Sequence, residues 1–458
     1  MAVPTTSEVP LLENHSETEE AETQPLKHSL KHLETFLRFL GFFHDSSLSF
    51  SLSSLSFLLI GIAAPSLIIL LFYCGPHRST SRCDFYHVKT FELEVLIWEV
   101  AVAAVSLFCI SRNLRKYGLR KFLFVDKFHG NSAQFQDQYR KISLGEHYLL
   151  LDGTRVHRYV AKTCFPSIGY GVDFFRMLAV WVLPCFVLKT AKEFVKVIYV
   201  GNDSWLESLL NMFILLVSWA YSAIIYLSGS SLFSLVCNLQ VIHFENYRTL
   251  LERDLDVLVY IQEHIRLTFH LSKISHRFRI FLILEFLIVT ASQFVALLET
   301  TGSNPNFNFI NGADFAVVGI IICLHAAAKM SHRAQGLASF ASRWHAFATC
   351  NSNETLRNAS SSGNLDTSNL VIPVVNYSES DLESADYVLP PTNVELAAYM
   401  SSYHKRQAFV MYLQSNPGGV TLFGWTVDRA LMNTIFFIEL SVVTFVLGKT
   451  ISFSTGNT

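Results

Sequence analysis

Charge is what this chain has least of. Of its 458 residues only 16% are Asp, Glu, Lys or Arg, while 51% are hydrophobic and the mean hydropathy is +0.33. Soluble domains carry roughly 25% charged residues, so the balance excludes an ordinary soluble domain and points to a membrane protein. An excess of one sign is missing as well: Lys and Arg number 35 against 37 Asp and Glu. Without a basic footprint, nucleic acid is not an expected partner. The eight cysteines, at 74, 83, 109, 164, 185, 237, 323 and 350, contain no CxxC pair and no Cys/His cluster at zinc spacing. A structural metal or a disulfide framework is thereby excluded, and no metal or cofactor is expected. Nucleophile elbows, phosphate loops, dinucleotide turns and HExxH helices are all absent, so no enzymatic role is expected. The first apolar run begins near Phe50, behind an acidic leader that lacks a short basic n-region. It is expected to be a retained span rather than a cleaved signal peptide.

What the chain does have is long apolar runs. A spanning helix needs about 20 mainly apolar residues to cross a hydrocarbon core of roughly 30 Å. Seven stretches meet that requirement: 50–73, 90–111, 173–196, 206–229, 278–300, 313–332 and 427–451. The second carries Glu92, Glu94 and Glu99 and the third ends in Lys189, Lys192, Glu193 and Lys196, which leaves six spans as the alternative. The segments 1–49, 112–172, 240–279 and 329–428 hold 3, 11, 6 and 6 Lys/Arg, whereas the loops between them hold 3 in the first and essentially none elsewhere. By the positive-inside rule the N-terminus is cytoplasmic and the C-terminus extracellular. The expected fold class is therefore all-α, a polytopic seven-transmembrane helical bundle with cytoplasmic helical extensions.

Those extensions follow from apolar residues at helical spacing outside the spans. Leu250, Leu251, Leu255, Leu258, Val259, Ile265 and Leu267 recur among Glu252, Arg253, Asp254 and Glu263 between 231 and 275. The same pattern over 333–350 and 393–414 predicts a helix continuing span 6 and another preceding span 7. Residues 1–25 predict a disordered acidic leader and 26–44 an amphipathic interfacial helix on the inner leaflet, built on Leu26, Leu30, Leu33, Phe36, Leu37 and Leu40. The Ser/Asn/Asp/Thr-rich stretch 351–392 buries too little apolar surface to order and predicts a cytoplasmic loop. The layout is thus leader (1–25), interfacial helix (26–44), spans 1–6 with extensions (45–350), loop (351–392), and pre-span helix with span 7 (393–458).

Ionisable groups inside spans cost a few kcal/mol each and need a partner, a wet cavity or a function. Glu99, Glu285, His325 and Glu439 are the candidates, and each can equally be a polar residue that pairs with a neighbouring helix for packing. In span 7, Thr434, Ile438, Ser441, Phe445, Gly448 and Ser452 recur at three- or four-residue steps and share one helix face. Such a stripe can wet a pore, with Ile438 or Phe445 as an apolar constriction, or simply allow close helix packing. Glu439 lies off that face. Cys74 and Cys83 bracket the first outer loop and form a candidate disulfide, the other six cysteines being expected as free thiols. Of the Asn-x-Ser/Thr sequons only Asn202 falls outside in this topology, so glycans at 353–376 would reverse it.

The stretches QEHIRLTFHLSKISHRFRIFLILEFLIVTASQF (262–294), SHRAQGLASFASRWHA (331–346) and GWTVDRALMNTIFFIELSVVTFVLGKT (424–450) resemble a plant family of membrane proteins of unknown function. That family looks gustatory-receptor-like, distantly similar to the insect odorant and gustatory receptors. The insect signature in the last span is Thr-Tyr, five apolar residues and Gln-Phe. Here Thr444-Phe445 stands for the first pair, Lys449 interrupts the apolar run, and Ile451-Ser452-Phe453 lacks the Gln. The resemblance implies a tetramer with span 7 around a central pore, a cytoplasmic anchor from the extensions of spans 4 to 6, and a ligand pocket among spans 2 to 6.

The expected function is a ligand-gated cation channel of the plasma membrane, a homotetramer in a lipid bilayer that takes an unidentified small-molecule ligand. Two rivals stand beside it. Lys449 and the incomplete signature favour a non-conducting receptor or scaffold with the same fold, and Pro65 and Pro184 offer a faint case for a transporter with broken helices.

Overall fold

In lipid no water satisfies backbone amides, so an apolar run must close its own hydrogen bonds as a helix. The computed structural model describes residues 30–43, 47–73, 82–123, 170–200, 205–252, 256–302, 315–356 and 402–455, and helices dominate them throughout. In chain order these are α1 (30–39), α2 (Ser47–Ser56), a π-helical stretch (Phe57–Ala63), α3 (Ala64–Tyr73), α4 (Arg82–Leu123) and α5 (Tyr170–Val200). Then follow α6 (Trp205–Leu251), α7 (Val257–Gly302), α8 (Phe315–Leu356), α9 (Ser402–Ser415), strands β1 (Thr421–Leu422) and β2 (Trp425–Thr426), and α10 (Arg429–Thr455). Among the described residues six stretches are long and apolar enough to cross a membrane: Leu48–Leu70, Leu93–Leu123, Phe174–Val195, Leu206–Leu251, Val257–Val295 and Phe315–Thr349. The protein is an all-α, multi-pass membrane protein. Of α10 only Arg429–Ile438 contributes as a shorter apolar helix, because several side chains beyond it lie outside the described residues.

Helix length divides the molecule into two layers. At 47 residues α6 is about 70 Å long, more than twice the roughly 30 Å of hydrocarbon it has to cross. The far ends of α6, α7 and α8 therefore leave the membrane layer, and α9 packs on α8 and α7 beside them. In this distal layer Tyr260, Trp344 and Phe409 meet ring to ring, Tyr247 donates to the Tyr260 carbonyl at 2.8 Å, and His264 Nδ1 lies 3.2 Å from the Tyr412 hydroxyl. Arg333 and Glu245 form an ion pair between α8 and α6 at 2.5 Å. α8 runs to Leu356, six residues into the stretch whose composition predicts a loop; the rest of 351–392, like the leader 1–25, lies outside the described residues.

The core belongs to α6. Ala223, Ile225, Tyr226, Leu227, Leu232, Phe233, Val236 and Cys237 are fully buried, with α8, α4 and α5 packed around them. Small residues set the spacing. A Cβ at Gly229 would run into Ser106 Oγ, and one at Gly319 into the Tyr226 ring, so α4 and α8 approach α6 closely at these two points. Such contacts matter in lipid, where apolar burial alone does not drive helices together.

Two local features have direct sequence causes. In the π-helical stretch the Ala64 amide bonds the Leu59 carbonyl, five residues back. The next bond of that register would need an amide from Pro65, which has none; Ser218 Oγ of α6 supplies it instead, donating to the Ile60 carbonyl at 2.7 Å. At α1 the apolar face is taken by protein: Leu33 and Leu37 are fully buried, and Phe36 meets Phe174 and Phe175 of α5 edge-on.

Candidate functional site

Three places in the fold carry the residues singled out by the sequence. The first is the face of α10. Thr434, Ile438, Ser441 and Phe445 border one open groove of about 430 Å³, together with Phe437 and with Phe294 of α7. The helix packs on α7 and α8, yet Phe437 is 69%, Ile438 58% and Phe445 66% exposed. Among the described residues, Thr434 and Ser441 of this face, and Thr444 beside it, are satisfied within their own helix: Thr434 donates to the Ala430 carbonyl, Ser441 to Phe437 and Thr444 to Leu440, at 2.9, 2.7 and 2.8 Å. This i−4 back-bonding lets a hydroxyl sit in an apolar setting without a second partner. The side chains at Glu439, Gly448, Lys449 and Ser452 lie outside the described residues.

The second is a small pocket of about 60 Å³ among α3, α4, α5 and α6. Apolar walls from Pro65, Ile69, Val95, Leu96 and Leu215 surround Glu99, Lys189, Lys192, Glu193, Ser218 and Ser222. Trp219 Nε1 donates to Glu99 Oε1 at 3.1 Å, and Lys189 pairs with Glu193 at 3.5 Å one helical turn away. Four ionisable side chains thus converge within a membrane-layer pocket, Glu99 partnered with an indole and Lys189 with Glu193. Sequence reading flags Glu99 here but treats Lys189, Lys192 and Glu193 as a weakness of the third span. Their i, i+4 spacing was the available signal of a compensated pair.

The third is the surroundings of Glu285. Only 1% exposed, it receives a hydrogen bond from the Tyr226 hydroxyl on Oε1, with Ser230 Oγ at 3.4 Å. The same hydroxyl lies 2.9 Å from the Ala316 carbonyl, while Oε2 has no hydrogen-bond partner. Three helices, α6, α7 and α8, meet at this one carboxyl. Neither Tyr226 nor Ser230 stands out in the sequence, because a tyrosine and a serine within an apolar run carry no periodic signal.

The remaining expectations are scattered. His325 is exposed on α8 and belongs to none of the three places. Cys74 and the Cys83 side chain lie outside the described residues. Cys109, Cys185, Cys237 and Cys323 are buried and form no disulfide. No group of three or more His, Cys, Asp or Glu side chains that could hold a metal occurs among the described residues.

Comparisons with known proteins give one extensive match in sequence. Residues 28–162 and 171–438 match the family described as "Protein of unknown function (DUF3537)". The match takes in α1 to α9 and ends at Ile438, so Ser441 and Phe445 lie beyond it. No curated protein matches the chain. Among solved structures it is similar to the insect olfactory receptor OR5 from Machilis hrabei in complex with eugenol, with a TM-score of 0.47 and 11% identity over 92% of this chain and 98% of that chain.

Proposed function

The chain belongs to the DUF3537 family of proteins of unknown function, and we propose that it is a seven-span, homotetrameric, ligand-gated cation channel of the plasma membrane. The observation that carries the reading is the uncovered groove on α10, bordered by Thr434, Phe437, Ile438, Ser441 and Phe445. A face this apolar meets either lipid or a second copy, and repeated copies close into a ring when the rotation between them closes. With α10 innermost, Thr434 and Ser441 provide wettable positions, and Ile438 and Phe445 form constrictions that gate by dewetting. The basic residues orient the N-terminus and the distal layer toward the cytoplasm and the C-terminus outward. The ligand site of this reading is the pocket around Glu99 and Trp219. At about 60 Å³ it must widen for a small molecule, since ligand pockets usually measure about 300–1,000 Å³. No catalytic step or cofactor enters.

A second reading, a non-conducting receptor or scaffold, is favoured by the back-bonded hydroxyls of Thr434, Ser441 and Thr444, which need no water. Single-particle imaging of the protein in nanodiscs, followed by bilayer recording, separates the two. Fourfold symmetry with α10 at the axis and a ligand-dependent current are expected. A monomer or dimer with α10 facing lipid would remove the pore, and a silent tetramer would leave the receptor.

A further inference from the structure

Two helices and a hairpin change character at one level of the molecule. On α7 the exposed side chains from Ile280 onward are apolar, with Ile280 53%, Leu287 61% and Phe294 45% exposed. Immediately before them stand Lys273, His276, Arg277 and Arg279, and no carboxylate occurs between Glu263 and Glu285. On α4 the exposed Phe108 gives way to Arg112, Arg115, Lys116, Arg120 and Lys121, all exposed, with no carboxylate between Glu99 and Asp126.

The two basic stretches are fastened together. Asn113 Nδ2 donates to the Arg277 carbonyl at 2.8 Å, Arg277 donates to the Lys121 carbonyl at 2.9 Å and stacks 4.1 Å from the Tyr117 ring, and Phe122 packs on Phe278. Gly118, at φ 71°, is the bend that folds the end of α4 back onto α7. A residue with a Cβ adopts that backbone only under strain.

The β1–β2 hairpin docks at the same level. The Thr421 amide donates to Ser275 Oγ at 3.1 Å and the Val420 amide to Ser331 Oγ at 3.0 Å. Its two turn residues, Phe423 and Gly424, both have positive φ, 50° and 85°. Asn or Gly suits such a position and phenylalanine does not, so the strain points to a use for the ring. That ring is 68% exposed with the Arg279 guanidinium 4.7 Å from its centre, and Trp425 beside it is 70% exposed. Aromatic rings next to cations where apolar surface ends are the composition of a membrane–water boundary.

We propose that this corner is a binding site for anionic phospholipid headgroups of the leaflet it faces. Arg112, Arg115, Lys116, Arg120 and Lys121 hold the phosphates, and Phe423 and Trp425 enter between the headgroups. The proposal requires a membrane protein and does not depend on whether α10 conducts.

Native mass spectrometry of the detergent-solubilised full chain tests it, with phosphatidylinositol bisphosphate, phosphatidylserine and phosphatidylcholine as separate probes. Wild type is expected to retain the two anionic lipids at least tenfold over phosphatidylcholine. Arg115→Gln/Lys116→Gln/Arg120→Gln/Lys121→Gln should lose at least fivefold of that retention. The single variants Lys116→Gln and Lys121→Gln, each expected to lose about twofold, keep the test alive if the fourfold variant does not fold. Phe423→Asn, which suits the turn backbone, together with Trp425→Thr should also lose about twofold. Arg248→Gln/Arg343→Gln/Lys405→Gln/Arg406→Gln, on the distal layer, should lose none. Equal retention of all three lipids, or an equal loss in the distal control, overturns the site. Free inositol trisphosphate binding as well as the lipid overturns the membrane as its source.

Discussion

α6 and α10 are both apolar helices with serines and threonines among large side chains, and they meet opposite fates. Along the middle of α6, from Ile225 through Cys237, the side chains are enclosed on every side. Along α10, Phe436, Phe437, Ile438, Leu440 and Phe445 are all more than half exposed in a single copy. The difference lies in what the neighbours offer. Gly229 and Gly319 let α4 and α8 come close to α6, and the Tyr226 hydroxyl there reaches Glu285 of α7 and the Ala316 carbonyl of α8. On α10 the hydroxyls bond backward into their own helix and leave the outer face with nothing to hold a neighbour in the same chain. One helix is built as a centre of packing, the other as a face for lipid or another copy.

The contrast is most directly broken at Gly319. Its added methyl in Gly319→Ala would run into the Tyr226 ring, which is held by Glu285 and backed by Phe315 and so cannot swing away. Overpacking of this kind costs roughly 3 kcal/mol, to be read as a loss of thermal stability in detergent. Gly229→Ala should cost less, because only the Ser106 hydroxyl has to rotate. An unchanged midpoint for Gly319→Ala would mean that the α6–α8 contact is looser than described.

Next in size is Tyr226→Phe. It removes the short donor to Glu285 Oε1, which keeps only the longer Ser230 contact at 3.4 Å, and the contact with the Ala316 carbonyl, at a cost of about 2 kcal/mol. Glu285→Gln in the same background should recover part of that loss, since a neutral amide is less costly to bury than a carboxylate. Thermal midpoints of the single and double variants give the coupling, and additive effects would show that the two side chains act independently. Trp219→Phe is smaller, about 1 kcal/mol, because one indole donor to Glu99 is lost and the ring packing against Phe315 is largely kept. A purely structural tryptophan would leave Glu99→Gln with the same effect in both backgrounds.

The two helices also divide what the sequence tells. Helix positions were legible almost throughout: the expected spans at 173–196, 206–229 and 278–300 fall inside α5, α6 and α7, and the extensions of α6 to α8 follow from apolar spacing beyond the spans. Length and period suffice there, because a backbone in lipid has no other way to close its hydrogen bonds. The neighbours were not legible. Tyr226 reaches Glu285 across 59 residues and Ser218 reaches Ile60 across 158, and nothing in a single chain pairs such positions. The hairpin at Thr421–Thr426 escaped for another reason: it places a phenylalanine where turn chemistry calls for Asn or Gly. The α10 stripe was legible as a face, since Thr434, Ile438, Ser441 and Phe445 do border one groove.

The smallest expected effect sharpens the comparison most. Ser441→Ala removes a hydroxyl that donates to the Phe437 carbonyl of the same helix, and the carbonyl it leaves is still served by the helix backbone. Stability should therefore change by less than about 0.5 kcal/mol, whereas a serine buried in α6 such as Ser230 also lies against Glu285 and should cost more. With stability fixed, any change that Ser441→Ala makes to assembly or to a ligand-dependent current has to come from the groove itself. A Ser441→Ala protein as stable as wild type but altered in current would place Ser441 on a water path. One unchanged in both would make the stripe a surface for lipid, and the contrast between α6 and α10 would then be between a protein core and its solvent.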